Sequence, residues 1–372
     1  MKIAIVHDEL VQWGGAERLV LSMHEIWPEA PIYTSIYDPS INLRASKRFA
    51  NCDIRTSFMQ KLPFKESLRR QYFPLYPLAF ESFDFSEYDI VLSSSTRFAH
   101  GVITKPRTLH ICYSNAPTRF LWESENYLQR ENIGSIGQLL LSPFLSYFRI
   151  WDQTAVTRPD FWIANSKNVA EKLKKYYRKD AEIIFPGVDI GRFATKVQKL
   201  GDQGYFLVVT RLLPWKRVDL AVLVCSDLKL PLIVVGDGPA FKKLKSIAGP
   251  TIQFLGNVSE DKLVSLTLGA RALIMTQEED FGLTAIEAQA AGAPVIAYTK
   301  GGARETVLND KTGIFFESQE KGSLKKAITK FNKMRFDRED CIKQAQKFSD
   351  ENFRRSLRDF VNQKWQVHQK TI

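Results

Sequence analysis

Apolar runs of strand length recur along the chain. Each gives way to a polar or glycine-containing turn and then to apolar residues at helical spacing. In the first half these runs are Lys2–Val6, Tyr88–Ser95 with its polar exit, Leu109–Tyr113, Trp162–Ala164 and Ile183–Phe185. In the second half they are Tyr205–Val209, Leu232–Val235, Ile252–Val258, Ala272–Met275 and Val295–Ala297. Helical spacing follows at Leu19, Leu21 and Met23, over Val169–Tyr177, from Leu220, and at Leu283, Ile286 and Ala290. Phe348, Phe353, Leu357 and Phe360 mark a C-terminal helix, with Trp365 beyond it. Alternation of strand and helix in both halves predicts an α/β protein with two doubly wound parallel sheets. The expected division is 1–190, 200–345 and a terminal helix at 346–372, with Lys196–Gln203 as a largely polar linker.

At 372 residues the chain is long enough for two cores, and its 44% hydrophobic and 25% charged content is that of a globular protein. The start, Met1–Val6, is too short and runs too soon into His7-Asp8-Glu9 to be a signal peptide. With no apolar run of transmembrane length, a cytoplasmic location is expected, peripheral at the inner face of the cell membrane. Cys52, Cys112, Cys225 and Cys341 are scattered, without metal spacing, as reduced thiols would be. The formal charge of +11 suits an anionic partner, either a nucleotide diphosphate or an anionic membrane surface. Nucleic acid is not expected, because no recognition motif for it is present. One candidate membrane segment is Phe58–Pro77, where Lys61, Lys65, Arg69 and Arg70 recur near helical spacing beside Phe58, Leu62, Phe64 and Leu68. A solvated helix face would read the same way.

The most informative stretch is Glu278–Ala297. An acidic turn leads through Gly282 and Thr284 into a helix that Gly292-Ala293-Pro294 stops. A helix N-terminus delivered by such a loop suits a diphosphate, and Gly282 has no Cβ to keep a ligand away. Glu279 lies before the helix and Glu287 inside it. Eight positions along a helix rise roughly 12 Å, more than the roughly 5–10 Å between the acids of a glycosidase, so separate tasks at opposite ends of one ligand fit better. An amphipathic helix with one solvated Glu accounts for the spacing equally well.

Three further strand exits carry polar groups. Gly14-Gly15-Ala16-Glu17-Arg18 opens a helix after the first strand, without the G-x-G-x-x-G of a dinucleotide site. Asn115 and Arg119 follow Leu109–Tyr113, and Arg211 and Lys216 follow Tyr205–Val209. In open α/β sheets ligands bind at such C-terminal strand ends.

Together these stretches resemble the retaining glycosyltransferases of family 4. Glu279, Phe281, Gly282, Leu283, Glu287, Ala288, Ala290, Gly292, Pro294 and Val295 fit its E-x-F-G-L-x-x-x-E-A-x-A-x-G-x-P-V pattern. Gly14–Arg18, Arg211–Lys216 and Gly301–Thr306 match its G-G-A-E-R/K, R-L-x-x-x-K and G-G-x-x-E-T elements. Tyr113, Pro117, Arg119 and Trp122 fit the Y-x-H-T-P-M-R-Y-x-W-D motif of its O-antigen and exopolysaccharide mannosyltransferases, with Asn115 in place of the His. An Asn can hydrogen-bond a sugar hydroxyl but carries no proton or charge near neutral pH.

The resemblance implies the GT-B architecture: two Rossmann-like domains facing a cleft, acceptor mainly on the first and donor mainly on the second, with the C-terminal helix returning to the first. It implies transfer of a hexose, mannose from GDP-mannose, to a lipid-linked or oligosaccharide acceptor in surface polysaccharide or glycolipid synthesis. No cofactor or metal is expected. Arg211 and Lys216 would stabilise the departing diphosphate, Glu279 would hold the sugar and Glu287 the ribose, with Asn115 near the sugar. Gly14, Gly15, Gly236, Gly256, Val258, Phe281, Gly282, Leu283 and Thr284 complete the expected donor site, and Asp8 and Arg119 the acceptor or sugar side. A nucleotide-sugar-binding subunit without catalysis and a sugar-nucleotide epimerase share this architecture and remain open at this point.

Overall fold

A computed structural model describes residues 1–39, 48–69, 71–123, 135–194 and 204–370; Arg70 and the linker 196–203 lie outside the described residues. The chain divides into two compact units, Met1–Gly187 with Phe353–Ile372, and Val188–Asn352. Unit 1 holds a seven-stranded sheet: β1 (Ile3–His7), β2 (Ile32–Thr34), β3 (Ile54–Thr56), β4 (Ile90–Ser95), β5 (Leu109–Ser114), β6 (Phe161–Ala164) and β7 (Glu182–Ile183), in the order β3-β2-β1-β4-β5-β6-β7. Unit 2 holds six: β8 (Tyr205–Val209), β9 (Leu232–Val235), β10 (Ile252–Gly256), β11 (Ala270–Met275), β12 (Val295–Tyr298) and β13 (Gly313–Phe316), in the order β10-β9-β8-β11-β12-β13. Every pairing between these strands is parallel. The central strands β1, β4, β5 and β12 are buried along their whole length, as sheets covered on both faces require.

Both sheets run outward from their first strand and then reverse, so the chain leaves β1 and β4, and β8 and β11, in opposite directions. The gap between the diverging loops is where such sheets bind ligands. In unit 1 that gap is closed by Asp8. Its carboxylate is 1% exposed and accepts from Thr96 N and Oγ1 (both 2.6 Å), Arg97 N (3.0 Å), Phe98 N (2.7 Å) and Ala99 N (2.8 Å). One side chain after β1 thus satisfies most of the turn after β4. Glu9 beside it accepts from Tyr76 Oη (2.9 Å) and Arg97 Nη2 (2.6 Å), with Arg69 at 3.6 Å.

The C-terminal helix spans Asp350–Gln369, so Phe348 precedes it and Trp365 lies within it. Phe353, Leu357, Phe360 and Val361 are buried in the core formed by β1, β4, β5 and the helix Gly15–Ile26, and Phe353 meets the Tyr113 ring edge-on. Arg354 adds an ion pair to Glu25.

Two expectations change. The basic stretch from Phe58 is not one helix. It breaks into Phe58–Lys61, Lys65–Leu68, Phe73–Leu75 and Tyr76–Glu81, because Pro63, Pro74 and Pro77 each remove a backbone donor and Phe64 turns through a left-handed conformation (φ 49°). Arg69 points back to Glu9 rather than along a shared face with the lysines. Conversely, a 21-residue helix, Ser135–Ala155, stands where no helix is expected from the sequence. Among the described residues, no helix is long and apolar enough to cross a membrane.

Two outcomes follow for unit 1, which holds every tryptophan except Trp215, so that fluorescence during urea unfolding reads it. Leu357→Ala, deleting a fully buried side chain, should destabilise by about 2–5 kcal/mol; a change within the error of the wild type would remove the helix from the core. Asp8 is the pH-dependent case. Burial alone would raise its pKa, but Arg97, His7 and the hydrogen bonds from Thr96 and Phe98 outweigh it and hold the pKa below the ordinary value. The stabilisation is therefore present above the unfolded-state pKa and is lost as pH falls through the lower folded one. Asp8→Asn should cost about 3–5 kcal/mol at neutral pH, and the gap to wild type should narrow below about pH 4. A gap that stays constant into acid would contradict the charged clamp.

Candidate active-site residues

In unit 2 the expected residues gather at the exits of β8 and β11. After β8 the chain passes through Thr210 and Arg211 into the short turn Pro214–Lys216. Arg211 is exposed, whereas Lys216 is 7% exposed. The ammonium of Lys216 pairs with Glu279 Oε1 and lies 4.1 Å from the Trp215 ring centroid. Its backbone carbonyl accepts from Thr276 Oγ1 at 2.7 Å, tying the β8 exit to the β11 exit. Gln277 Nε2 donates to the same Glu279 oxygen at 2.8 Å. Lys216 and Glu279, 63 positions apart in sequence, thus meet across the point where the sheet reverses.

Gly282 ends this loop at φ 90° and opens the helix Leu283–Ala290 with no side-chain cap. A helix start without a side-chain cap, with the helix dipole behind it, is suited to hold an anion. A Cβ on Gly282 would lie 3.0 Å from Met275 Cε and 3.7 Å from Glu279 Cβ. Leu283 and Thr284 are half-buried in the first turn. Phe281 turns inward, 4% exposed with its ring 5.7 Å from Phe348, so only its backbone faces the loop.

Three glycines set the loops against each other. A Cβ on Gly301 would fall 2.2 Å from Glu279 O, and one on Gly302 2.4 Å from Phe281 Cα. Gly302 N donates to Glu279 O at 2.8 Å. The Gly301-Gly302 turn therefore supports the backbone that aims Glu279. Likewise a Cβ on Gly236 (φ 127°) would lie 1.9 Å from Thr210 O, and Leu212 N donates to Asp237 O. Gly236, expected to meet the donor, is required by the close passage of the Arg211 loop. Gly256 (φ 63°) has no atom within 4 Å of an added Cβ, and Val258 is half-buried beside it.

Glu287 lies about one turn into the helix, 7% exposed, and pairs with Arg192 Nη2. Arg192, whose guanidinium also lies 4.8 Å from the Phe193 ring, is the residue that sequence reading missed. It follows the Pro186–Asp189 exit, and only the fold brings it to a carboxylate 95 positions away.

In unit 1, Gly14 caps the helix Gly15–Ile26 without a side-chain cap bond, and an added Cβ would lie 3.0 Å from Glu17 Oε2. Glu17 is 3% exposed, and burial raises its pKa. Asn115 stands at the end of β5, its N–H on Ser95 O (2.8 Å) and its Nδ2 on Ser94 Oγ (3.0 Å), while Asn165 Nδ2 holds its carbonyl at 2.8 Å. Arg119 begins the short helix Arg119–Trp122. That turn is anchored by buried Asp152, which accepts from Thr118 Oγ1 (3.0 Å) and Trp122 Nε1 (2.7 Å) and faces His100 Nε2 at 3.2 Å. Asp8, expected on the acceptor side, is instead consumed by the Thr96–Ala99 turn.

Residues 190–348 match the family described as Glycosyl transferases group 1. Among curated proteins, an uncharacterized glycosyltransferase of Methanocaldococcus jannaschii is 28% identical over 185 residues, 48% of this chain and 52% of its own. A GDP-mannose-dependent alpha-(1-6)-phosphatidylinositol monomannoside mannosyltransferase of Mycobacterium tuberculosis is 30% identical over 165 residues, 37% of this chain and 43% of its own. The chain spans about half the length of the curated relatives it matches. Among solved structures, Anabaena HepE in complex with UDP superposes with a TM-score of 0.71 at 17% identity, over 98% of this chain and 100% of that one. Sucrose-phosphate synthase of Thermosynechococcus elongatus gives 0.73 at 15%, over 99% and 100%. The fold is therefore of the GT-B type, and residues 190–348, nearly all of unit 2, carry the sequence signature of the group 1 glycosyl transferases.

Proposed function

We propose that this protein is a retaining glycosyltransferase that moves a hexose, mannose from GDP-mannose, onto a lipid-linked or oligosaccharide acceptor in surface polysaccharide or glycolipid synthesis. The observation that carries the reading is the Lys216–Glu279 pair at the sheet reversal, beside the uncapped helix start at Gly282. A cation and a ring of backbone donors at one strand exit suit a diphosphate leaving group, which gains charge as its bond to the sugar breaks. Arg211 and Lys216 supply that positive charge from the chain itself. Glu279 holds the sugar hydroxyls and Glu287 the ribose. Gly14 and Gly15 offer backbone N–H groups to the phosphates or sugar, Asn115 lies near the sugar, and Arg119 serves the acceptor or sugar side. The choice of GDP-mannose is supported by the mannosyltransferase motif around Tyr113–Trp122 and by the mycobacterial relative.

The class is tested by incubating the pure protein with labelled GDP-mannose and UDP-sugars, with and without acceptors. Turnover that needs an acceptor supports the transferase. Acceptor-free change of the sugar means an epimerase, and binding without turnover means a subunit.

Lys216→Ala and Arg211→Ala should each lower turnover by about 10²–10³ while leaving the fold intact, the cost of removing a donor at a developing charge. Near-normal rates in both would refute the diphosphate assignment. Glu287→Ala removes contacts made in ground and transition states alike, so it should chiefly raise the donor KM. Glu279→Ala should act on kcat, because contacts near the breaking bond strengthen as charge develops. Affinity for a bare nucleoside diphosphate should fall in Glu287→Ala and hold in Glu279→Ala. An equal fall in both would overturn this division of labour.

A further inference from the structure

The reading above gives Glu287 the ribose and leaves Arg192 without a task, yet the two side chains are built together. Arg192 sits in the short helix Gly191–Ala194, and Glu287 at a buried position of Leu283–Ala290. Their side chains are 18% and 9% exposed, and Arg192 Nη2 donates to Glu287 Oε1. Beside the guanidinium lies the ring of Phe193, itself 1% exposed, with its centroid 4.8 Å away. Ring and carboxylate hold the guanidinium from two sides. One donor of the fork is left over. Arg192 Nε is buried and has no hydrogen-bond partner among the described residues. A buried N–H without an acceptor is costly, and in a folded protein such a group calls for an explanation.

Charge decides what completes it. A lone guanidinium suits phosphate. Here a carboxylate already stands beside it, so the pair is close to neutral, and a phosphate would be repelled by Glu287 as well as drawn to Arg192. A neutral polyol meets no such conflict. Each hydroxyl donates one proton and accepts at its lone pairs. A carboxylate has about four lone-pair sites, so Glu287 can take hydroxyl protons while it still holds Arg192, and the guanidinium can give N–H to the hydroxyl oxygens. Two neighbouring hydroxyls on one ring are then met in both senses, which Glu287, an acceptor only, cannot do alone. Position agrees with this. Between Gly282 and Glu287 the chain rises about 7–8 Å along the helix from its uncapped start. An anion at that start and a diol at Glu287 are consecutive parts of a nucleoside diphosphate.

We propose that Arg192 is a specificity-determining residue of this site. Paired with Glu287, it forms a donor–acceptor cradle for the vicinal diol of the donor's ribose, and it holds the Glu287 carboxylate in place for that contact. This rests on the reading of Glu287 as the ribose residue. It adds a second residue to that reading and a chemical preference, for ribose over a sugar that lacks the diol.

The test is calorimetric titration of the full chain with GDP and UDP, and with the counterpart of each whose ribose lacks both hydroxyls. Wild type should bind at least one ribonucleotide roughly tenfold or more tighter than its dideoxy counterpart, as the loss of hydrogen bonds to charged groups requires. Arg192→Leu should lose roughly fivefold or more of that preference and bind the dideoxy counterpart as wild type does. Should Arg192→Leu not fold, Arg192→Lys takes its place. It keeps a cation for Glu287, so it should keep the thermal transition of wild type, but a point charge without the fork should still lose roughly threefold or more of the preference. Glu287→Ala is the comparison. If it loses the preference and the Arg192 variant keeps it, the ribose reading stands and this inference falls. An equal loss of affinity for the ribose and dideoxy forms in the Arg192 variant also overturns it, making Arg192 a strut between two helices. Wild type that binds both forms alike overturns the ribose reading and this inference with it, and wild type that binds no nucleotide overturns the donor site as a whole.

Discussion

Each sheet reverses direction between its first and fourth strands, and in both units a carboxylate ties the two loops that this reversal drives apart. In unit 1 Asp8, after β1, takes five hydrogen bonds from the turn after β4. In unit 2 Glu279, after β11, takes the ammonium of Lys216 after β8. Parallel strands leave their exit loops without the pairing a hairpin would provide, so the loops need side chains to fix them. The two solutions differ in what they leave over. Asp8 is enclosed by backbone donors and acts as a structural clamp. Glu279 is 20% exposed at its side chain, and its partner is a flexible cation beside a helix N-terminus, an arrangement that retains chemistry.

The glycines around unit 2 act through contact distance more than through direct ligand approach. Gly236 and Gly301 let two backbones pass where any Cβ would collide with a carbonyl oxygen at about 2 Å, far inside van der Waals contact. They hold the Arg211 and Glu279 loops in place from behind. Among the glycines named above for the candidate donor site of unit 2, Gly282 and Gly256 face space that a Cβ would narrow without striking backbone. The same sequence signature therefore combines glycines that border open space with glycines that place the loops.

Unit 1 spends its apolar surface unevenly. The C-terminal helix is absorbed into the core through Phe353, Leu357 and Phe360, and that burial brings the end of the chain back to its beginning. The helix Ser135–Ala155 does the reverse, sinking its later turns beside Phe98 and Trp122 and leaving Leu140, Phe144, Tyr147 and Ile150 exposed. Since burying a large apolar side chain is worth about 1.5–3 kcal/mol, a face of this size left in water needs an explanation outside the unit's own stability.

The sequence by itself determined the class of fold, the strands that flank the reversal points and the loops that carry polar groups. These depend on local pattern: apolar runs long enough for a strand, glycine where a turn needs it, helix starts after a polar loop. Local pattern placed Glu279, Glu287, Arg211 and Lys216 on such loops and helix starts, while their expected roles came from the resemblance to family 4. The helix Ser135–Ala155 was not, because its sequence is apolar at neighbouring positions such as Leu139, Leu140 and Leu141 and is interrupted by Pro143, so no single face stands out against a polar one. The basic stretch misled in the opposite way, since its charges have helical spacing but its prolines forbid a helix. What only the tertiary structure decided is pairing at long range: Lys216 with Glu279, Arg192 with Glu287, Asp8 with the Thr96–Ala99 turn. A side chain's role there is set by which strand exits the sheet places side by side, and strand order is a property of the folded chain that no local spacing encodes.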